Sequence, residues 1–346
     1  MNSRISHPAL DLLLIALILT ALILGRELLV PLVLAFLLWF LVVSLRRVIG
    51  KIKIGPYAIP KGIRTAFALL LICMVIWLIG RLVAENLEQA RVDAPKYNDR
   101  FQLLLQWISE KLNVTSVQDL SEDFNISKWA QNLLNSSLNF ISAFFVVVFY
   151  VVFIFLEEGI FIGKVARAIK HREQRQKMYH TFSEINEKIH SYLAVKSLLS
   201  LTMALLVWLV LVIIGVDFAI VWALFAFLSN FIPFIGAFIS TLLPTLLAFL
   251  QFDDPTYGIV VFSILVGIQA LFGNIIEPKV VGKSVNLSPL VVILSLAFWG
   301  AIWGVAGMFL CVPITVTLMI VLNQFESTKP YAILLSAGRE IEEIKD

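Results

Sequence analysis

The stretch FAIVWALFAFLSNFIPFIGAFISTLLPTLLAFLQF, from Phe218 to Phe252, carries no charged side chain and is apolar along most of its length. A helix that spans a membrane needs about 20 apolar residues, so this tract of about 35 is too long for one span and barely long enough for two. Asn230, Pro233 and Gly236 fall in its middle. These residue types disfavour a helix interior. The tract therefore predicts two helical arms joined by a non-helical break.

A second uncharged apolar tract, Leu287–Leu322, has nearly the same length, and its middle contains Gly300, Gly304 and Gly307. Two interpretations of these glycines stay open. They form a break like that of the first tract, or they let neighbouring membrane helices pack closely, as small residues do.

The two tracts occupy equivalent places in the chain. Each follows a single apolar run, and Asp217 lies 27 positions before Pro244, as Asn286 does before Pro313. Because one run leads outward and the next leads back, this order predicts an inverted repeat. Many secondary transporters contain such repeats, with broken helices near the substrate site. The tracts then either cross the membrane or re-enter it as hairpins.

The composition is that of an integral membrane protein. Hydrophobic residues make up 60% and charged residues 15% of the 346 residues, and the mean hydropathy is +0.91. Soluble domains are about 45–50% apolar and about 25% charged. We therefore predict an all-α membrane protein with about eight transmembrane helices, counting the two long tracts. The single runs are Ala9–Leu24, Leu28–Leu45, Thr65–Val83, Leu134–Leu156, Ser197–Ile214 and Tyr257–Phe272.

Loop charges predict the orientation. Residues 46–64 contain six Lys/Arg and no acid, which is typical of a cytoplasmic loop, and both termini then face the cytoplasm. Residues 84–133 carry five basic and eight acidic side chains, whereas residues 157–196 carry eight basic and five acidic ones. The predicted parts are 1–83 with three transmembrane helices, 84–133 as a small extracytoplasmic domain of short helices, 134–156 as a fourth helix, 157–196 as a cytoplasmic linker, 197–325 as a transport core and 326–346 as a cytoplasmic tail.

Within the linker, Phe182, Ile185, Ile189 and Leu193 recur at helical spacing. This pattern predicts an amphipathic helix. Such a helix lies on the membrane surface or packs on a neighbouring subunit, and the sequence leaves both open.

The polar stretch GNIIEPKVVGK, Gly273–Lys283, separates two apolar runs at the predicted inner side. Pro278 lacks an N–H and is expected to break the helix, with Glu277 pairing with Lys279 or Lys283. It is either a solvated connector or the inner mouth of a pathway, where Glu277 binds substrate or a coupling cation. The pathway candidates are Asn230, Pro233, Gly236, Gln269, Asn274, Glu277, Pro278, Lys279 and Gly282.

Three motifs carry a resemblance to a known family. SNFIPFIGAF (Ser229–Phe238), FGNIIEPKVVGKSVNLSPLVVILSLAFWGAIWGVAGMFLCVPITV (Phe272–Val316) and SYLAVKSLLSL (Ser191–Leu201) resemble the signature of the autoinducer-2 exporter family of bacterial inner-membrane proteins. The resemblance implies export of a small polar solute such as autoinducer-2, or sodium/proton antiport, and a homo-oligomer. Together with the glycine-rich tract it gives the structural or gating candidates Tyr192, Lys196, Gly300, Gly304, Gly307 and Pro313.

Other classes of function receive little support. A net charge of +3 gives no nucleic-acid signal, and Cys73 and Cys311, both in apolar runs, form no metal or disulfide framework. Gly282-Lys283-Ser284 is not a P-loop, because Glu277 stands where that motif needs its first glycine. We expect neither an enzyme nor a cofactor. The hypotheses are an exporter of a small polar solute, a cation/proton antiporter that moves H+ or Na+, and a membrane protein that organises partners without transport.

We expect the segment 84–133 to face the outside of the cell. In a variant without Cys73 and Cys311, Ser116→Cys should react with an impermeant thiol reagent added to intact cells, because the acidic balance of this segment is typical of a translocated loop. A cysteine in the basic loop at residues 46–64 should react only after the membrane is opened. Labelling of Ser116→Cys from the cytoplasmic side alone would contradict the predicted topology.

Overall fold

The computed structural model describes residues 8–50, 60–112, 126–169, 171–280 and 286–338. These residues form helices and short connections, without β-strands beyond the isolated bridge between Leu287 and Ser336. Six helices are long and apolar enough to cross a membrane. The prediction of an all-α integral membrane protein is confirmed.

Eleven helices follow one another in the described residues. They are α1 (Pro8–Leu24), α2 (Arg26–Ile49), α3 (Lys61–Leu112), α4 (Ile126–Ala168), α5 (Arg172–Ile214), α6 (Ala219–Ser229), α7 (Ile235–Gln251), α8 (Thr256–Leu271), α9 (Glu277–Val280), α10 (Pro289–Asn323) and α11 (Lys329–Leu335). A π-helical turn, Phe272–Ile276, joins α8 to α9.

The first long tract folds as a hairpin, which we call hairpin 1. Its arms are α6 and α7, and residues 230–234 between them are non-helical. Arms of 11 and 17 residues are about 16 and 25 Å long, shorter than a hydrocarbon core of about 30 Å. Asn230 and Pro233 therefore lie in the break, as predicted, whereas Gly236 belongs to α7. A Cβ on Gly236 would lie 1.8 Å from the carbonyl oxygen of Ser229, so glycine is what lets the arms meet.

The second long tract, α10, also reverses and forms hairpin 2. Gly304 has φ 62° and ψ −141°, a conformation that only glycine adopts readily. On either side of this turn, the hydroxyl of Ser295 donates to the carbonyl oxygen of Cys311 at 3.1 Å and contacts Thr315. A straight helix would separate Ser295 and Thr315 by about 30 Å. Although α10 is long enough to span a membrane, its two arms therefore run side by side.

The glycines of the second tract include both a helix break and a site of close helix packing, the two interpretations that the sequence left open. Gly304 forms the turn, with open space where a side chain would stand. Gly307 allows close packing, because a Cβ there would lie 1.9 Å from the carbonyl oxygen of Trp299. Gly300 faces Met308, whose side chain lies 3.0 Å from the position of a Cβ. Pro313 is buried within the second arm.

Local features of hairpin 1 recur in hairpin 2. Residues with positive φ precede the arms (Phe218 and Asn286) and mark the tips (Phe234 and Gly304). A closely packed glycine follows each tip, and each second arm contains a proline, Pro244 or Pro313. These pairs support the predicted repeat of helix plus hairpin. Its inverted orientation stays a prediction.

The described residues fall into two compact units. The first unit lies within residues 1–41, 144–189 and 286–346, and the second within residues 42–143 and 190–285. In the first unit the C-terminal end returns to the base of hairpin 2. The N–H of Ser288 donates to the carbonyl of Leu335 at 3.1 Å, and the N–H of Ala337 donates to that of Asn286 at 3.0 Å. The segment that contains α11 thus fixes the point where hairpin 2 begins.

The second unit has an apolar core around hairpin 1. Met203, Val207 and Leu211 lie one turn apart along α5, so they share one face of that helix. They form a single buried cluster with Trp222, Ala226, Ala248, Val261, Leu265 and Phe272. Hairpin 1 is therefore held by α5 and α8.

Side chains close the base of hairpin 1. The side-chain oxygen of Gln251 accepts from the N–H of Asp217 at 2.7 Å, and its amide donates to the carbonyl of Gly215 at 2.7 Å. The hydroxyl of Tyr97, on α3, donates to the carboxylate of Asp217 at 2.5 Å. Burial and the hydrogen bond to Asp217 raise the pKa of Tyr97, so the phenol keeps the proton that it donates.

Arg100, one turn beyond Tyr97 on α3, binds the other side of the same base. Its guanidinium donates to the carbonyl oxygens of Gln251 at 2.7 Å and Leu250 at 3.4 Å and pairs with Asp253 at 2.8 Å. We call Tyr97, Arg100, Asp217 and Gln251 the base clamp. It ties both ends of hairpin 1 to α3.

Two helices are longer than expected. The helix that contains the third apolar run does not end near Val83, because α3 continues through polar sequence to Leu112 with Pro95 inside it. Residues 84–112 thus form one helix and not several short ones. Likewise, the amphipathic pattern around Ile189 and the apolar run from Ser197 belong to a single helix, α5. A separate extracytoplasmic domain and a cytoplasmic linker remain predictions.

We predict that Gly236→Ala lowers the melting temperature of the purified protein in detergent. The added methyl group would collide with the Ser229 carbonyl, and overpacking costs about 1–3 kcal/mol. Gly267→Ala is the matched control, because its Cβ would meet nothing within 4 Å and alanine favours a helix. Equal melting temperatures for Gly236→Ala and the parent would show that the arms need no glycine at this point.

Candidate functional site

A buried ion pair lies at one end of the second unit. Lys196 on α5 pairs with Glu277, the first residue of α9. The lysine side chain is only 3% exposed and the glutamate 32%. A buried ammonium needs a charged partner, and removing that partner typically costs about 3–5 kcal/mol. We expected Glu277 to pair with Lys279 or Lys283. The pairing with Lys279 was wrong, and Lys283 lies outside the described residues.

The π-helical turn places Glu277 where it meets Lys196. In FGNII, the N–H of Glu277 donates to the carbonyl of Phe272, five residues earlier, instead of four. Such a turn inserts one extra residue and is frequent at functional sites. The expectation that Pro278 breaks the helix was wrong, because residues 277–280 continue it as α9. Pro278 still lacks an N–H, so a backbone carbonyl in the preceding turn receives no hydrogen bond from it.

A second polar contact lies one turn along α5 from the ion pair. The side-chain amide of Asn230 donates to the hydroxyl of Ser200 at 2.8 Å. Ser200 is fully buried, and it follows Lys196 by four residues, so both lie on the same face of α5. The tip of hairpin 1 is thereby joined to the helix that carries the buried lysine.

A third contact joins hairpin 1 to α8. The side-chain amide of Gln269 donates to the hydroxyl of Ser240 at 2.7 Å. The neighbouring hydroxyls of Thr241 and Thr245 are also buried and bond to carbonyls of their own helix. Gln269 lies eight residues before Glu277, about 12 Å along the helix axis. We call the pairs Lys196–Glu277, Ser200–Asn230 and Ser240–Gln269 the polar line.

Four sequence candidates thus take part in cross-element contacts, namely Lys196, Asn230, Gln269 and Glu277. Asn274, Pro278 and Lys279 are near Glu277 in the chain, but their side chains are exposed. Tyr192 is buried one turn before Lys196. Gly282 lies outside the described residues. The glycines Gly300, Gly304 and Gly307 and Pro313 shape hairpin 2 in the first unit.

The sequence interpretation missed two members of the polar line, Ser200 and Ser240. Both lie in apolar runs, where a serine usually bonds to a carbonyl of its own helix. A signal existed for Ser200, because it stands four residues after a lysine in an apolar helix. Ser240 had only its position four residues after Gly236 to mark it.

The polar line gives the second unit chemistry that its apolar core lacks. It offers one cation, one partly exposed carboxylate, two side-chain amides and two hydroxyls. Among the described residues no group of three or more His, Cys, Asp or Glu side chains is arranged to hold a metal ion. The amides and hydroxyls of the line can form hydrogen bonds with a polar solute, and a cation or proton can compete with Lys196 for the carboxylate of Glu277.

Comparison with known proteins gives a consistent result. Residues 12–327 match the model of the AI-2E family transporter. The AI-2 transport protein TqsA of Escherichia coli K12 is 28% identical over 90% of both chains. Two proteins named "Putative transport protein" are also similar. That of Borreliella burgdorferi is 30% identical over 71% of this chain and 68% of its own, and that of Haemophilus influenzae is 28% identical over 99% of both.

The family match covers nearly the whole chain, including most of α1, both hairpins and the π-helical turn. It agrees with the resemblance carried by SNFIPFIGAF and FGNIIEPKVVGK. The protein is a multi-pass membrane protein with a transport role, and it belongs to the AI-2E transporter family.

Proposed function

We propose that the protein is a secondary transporter that exports a small polar solute, autoinducer-2 or a similar signal molecule, along the polar line of the second unit. The observation that carries the proposal is the buried Lys196–Glu277 pair beside two amide–hydroxyl pairs in apolar surroundings. The similarity to the AI-2 transport protein TqsA supports the choice of substrate.

The polar line has the properties that a pathway for a hydroxylated solute requires. A hydroxyl group both donates and accepts, and so do the Asn and Gln side chains of the line. Two of the three contacts, Ser200–Asn230 and Ser240–Gln269, also join hairpin 1 to a neighbouring helix, α5 or α8, so a solute that replaces one of them also loosens that junction. Broken helices next to a polar site are the usual arrangement in secondary transporters.

A second candidate function is sodium/proton antiport, and the ion pair itself favours it. Ionisable groups inside the membrane often serve as ion or proton sites. A cation that binds the exposed side of Glu277 competes directly with Lys196 for the carboxylate. Proteoliposomes with an imposed proton or sodium gradient separate the two functions. An exporter moves autoinducer-2, whereas an antiporter moves Na+ and H+ without it.

We place the protein in the bacterial inner membrane with both termini in the cytoplasm, on the basis of the loop charges and the bacterial relatives. We also propose a homo-oligomer. In the apolar parts of α3 and α4 only 6% and 11% of the residues, respectively, are buried. These helices therefore present apolar surface to lipid or to other copies of the chain. The mass of the purified protein in detergent, measured by light scattering, tests this.

The third hypothesis, a membrane protein that organises partners, predicts no flux at all. A folded protein in liposomes that moves neither autoinducer-2 nor a cation under any gradient would exclude both transport functions. Such a result requires that the same preparation melts cooperatively and elutes as one species.

We predict that Glu277→Gln lowers solute flux in proteoliposomes about tenfold or more. The substitution leaves Lys196 buried without a charged partner, which typically costs about 3–5 kcal/mol, although the partial exposure of Glu277 reduces the cost. If Glu277 couples transport to an ion, gradient-driven flux should vanish while solute exchange without a gradient remains.

The matched control is Glu157→Gln, which breaks an exposed ion pair with Lys164. Exposed pairs contribute about 0–1 kcal/mol, so flux should equal that of the parent. If Glu277 acts only through its charge on Lys196, the double variant Lys196→Glu/Glu277→Lys should recover the flux that either single reversal removes. Normal flux in Glu277→Gln would exclude the ion pair from the mechanism.

A further inference from the structure

A cleft in the first unit lies apart from the polar line. Its volume is about 440 Å³, and it is lined by Arg26, Glu27, Val30, Pro31, Trp303 and Gly304. The first four residues come from the start of α2, and the last two from the tip of hairpin 2. Small-ligand sites usually have volumes of about 300–1,000 Å³. The cleft is therefore large enough for a small polar group.

The hairpin tip provides one wall of the cleft. The indole N–H of Trp303 donates to the carbonyl of Leu22 at 3.0 Å, which fixes the ring against α1. At Gly304 nothing lies within 4 Å of where a side chain would begin. The tip thus presents an oriented aromatic ring next to empty space.

The start of α2 provides the opposite wall, with two opposite charges. Arg26 and Glu27 are exposed neighbours, and neither forms a salt bridge with any residue that the structure describes. Pro31 lacks an N–H, so the backbone carbonyl of Glu27 receives no helical hydrogen bond from it. The wall therefore combines a guanidinium, a carboxylate and a carbonyl acceptor.

The cleft lies beside exposed apolar side chains. Only Gly25 separates the short apolar helix α1 from α2, which is long enough to cross a membrane, so Arg26 and Glu27 lie at the junction of two apolar helices. Leu24 and Leu28 next to them are 79% and 59% exposed. Tryptophan and arginine are common at the level of the lipid headgroups. A ligand of this cleft therefore has exposed apolar side chains beside it.

We propose that this cleft binds the headgroup of a zwitterionic lipid, phosphatidylethanolamine. The guanidinium of Arg26 binds the phosphate, with which arginine forms paired hydrogen bonds. The primary ammonium donates to the carboxylate and the backbone carbonyl of Glu27, and the face of Trp303 attracts the same cation. The acyl chains extend along Leu24 and Leu28. The proposal does not depend on the transported solute.

The opposite charges select between lipids. A purely anionic headgroup, such as that of phosphatidylglycerol, meets the repulsion of Glu27. A choline headgroup keeps the phosphate and the positive charge, but it has no N–H to donate to Glu27. The expected order of affinity is phosphatidylethanolamine, then phosphatidylcholine, then phosphatidylglycerol.

Native mass spectrometry tests this order. The protein is purified and incubated with an equimolar mixture of the three lipids, all with identical acyl chains. The parent should retain about tenfold more phosphatidylethanolamine than phosphatidylglycerol, because one additional charge-assisted hydrogen bond changes the affinity by about this factor. Glu27→Gln should reduce the preference over phosphatidylcholine, because an uncharged acceptor replaces the carboxylate, and Arg26→Gln should reduce the retention of both zwitterionic lipids.

The matched control is Arg81→Gln/Glu85→Gln, which removes an exposed Arg–Glu pair in α3. It should leave the lipid profile unchanged. The melting temperature of each variant shows whether it is folded. If Arg26→Gln does not fold, the lipid profile of Glu27→Gln alone tests the proposal. Equal retention of the three lipids by the parent, a profile that is unchanged in Glu27→Gln, or an equal loss in the control overturns the proposal. A melting temperature that rises with soluble phosphoethanolamine, together with no preference among the lipids, also overturns the proposal, since the occupant is then a free solute.

Discussion

A helix that breaks inside an apolar environment must still satisfy its backbone, and this constraint governs both hairpins. Free N–H and C=O groups are costly where water is absent, so non-helical backbone at membrane depth survives only against protein or a water-filled cavity. In hairpin 1 the turn residues bond to one another, as the N–H of Ile232 does to the carbonyl of Ser229 at 2.8 Å. Gly236 and Gly307 then bring the two arms of each hairpin into close backbone contact beside the break.

The polar line follows from the same requirement that a buried polar group has a hydrogen-bond or ion-pair partner. Lys196, Asn230 and Gln269 would each be unfavourable alone in an apolar unit, and each finds a partner on another element. These partners belong to α5, hairpin 1 and the segment after α8, and two of the three contacts also hold hairpin 1 against its neighbours, Asn230 at the tip and Ser240 in the second arm. Part of the proposed solute site is therefore also the set of side chains that joins hairpin 1 to α5 and α8.

Much of the fold and four members of the polar line were predictable from local pattern, but the pairing of those members across elements was not. The apolar tract with Asn230 and Pro233 in its middle indicated a hairpin, because helix-breaking chemistry acts over a few residues. The length of α3 was missed because a proline, Pro95, and a polar composition resemble the end of a helix, although a proline can be accommodated within one. The ion pair was missed because Lys196 and Glu277 are distant in sequence, while Lys279 and Lys283 stand nearby and offered a local partner. The π-helical turn in FGNII has no comparable local signal, and it changes which way Glu277 faces.

The base clamp has a consequence for how this chain can vary. Arg100 binds the backbone carbonyls of Leu250 and Gln251, so this contact does not depend on which side chains follow in α7. It does depend on register, since one inserted residue would turn the end of the helix by about 100° and carry those carbonyls away from the guanidinium. Hairpin 1 can therefore accept many substitutions along its arms, but insertions and deletions between Asp217 and Gln251 should be tolerated only where a whole helical turn, or the tip itself, absorbs them.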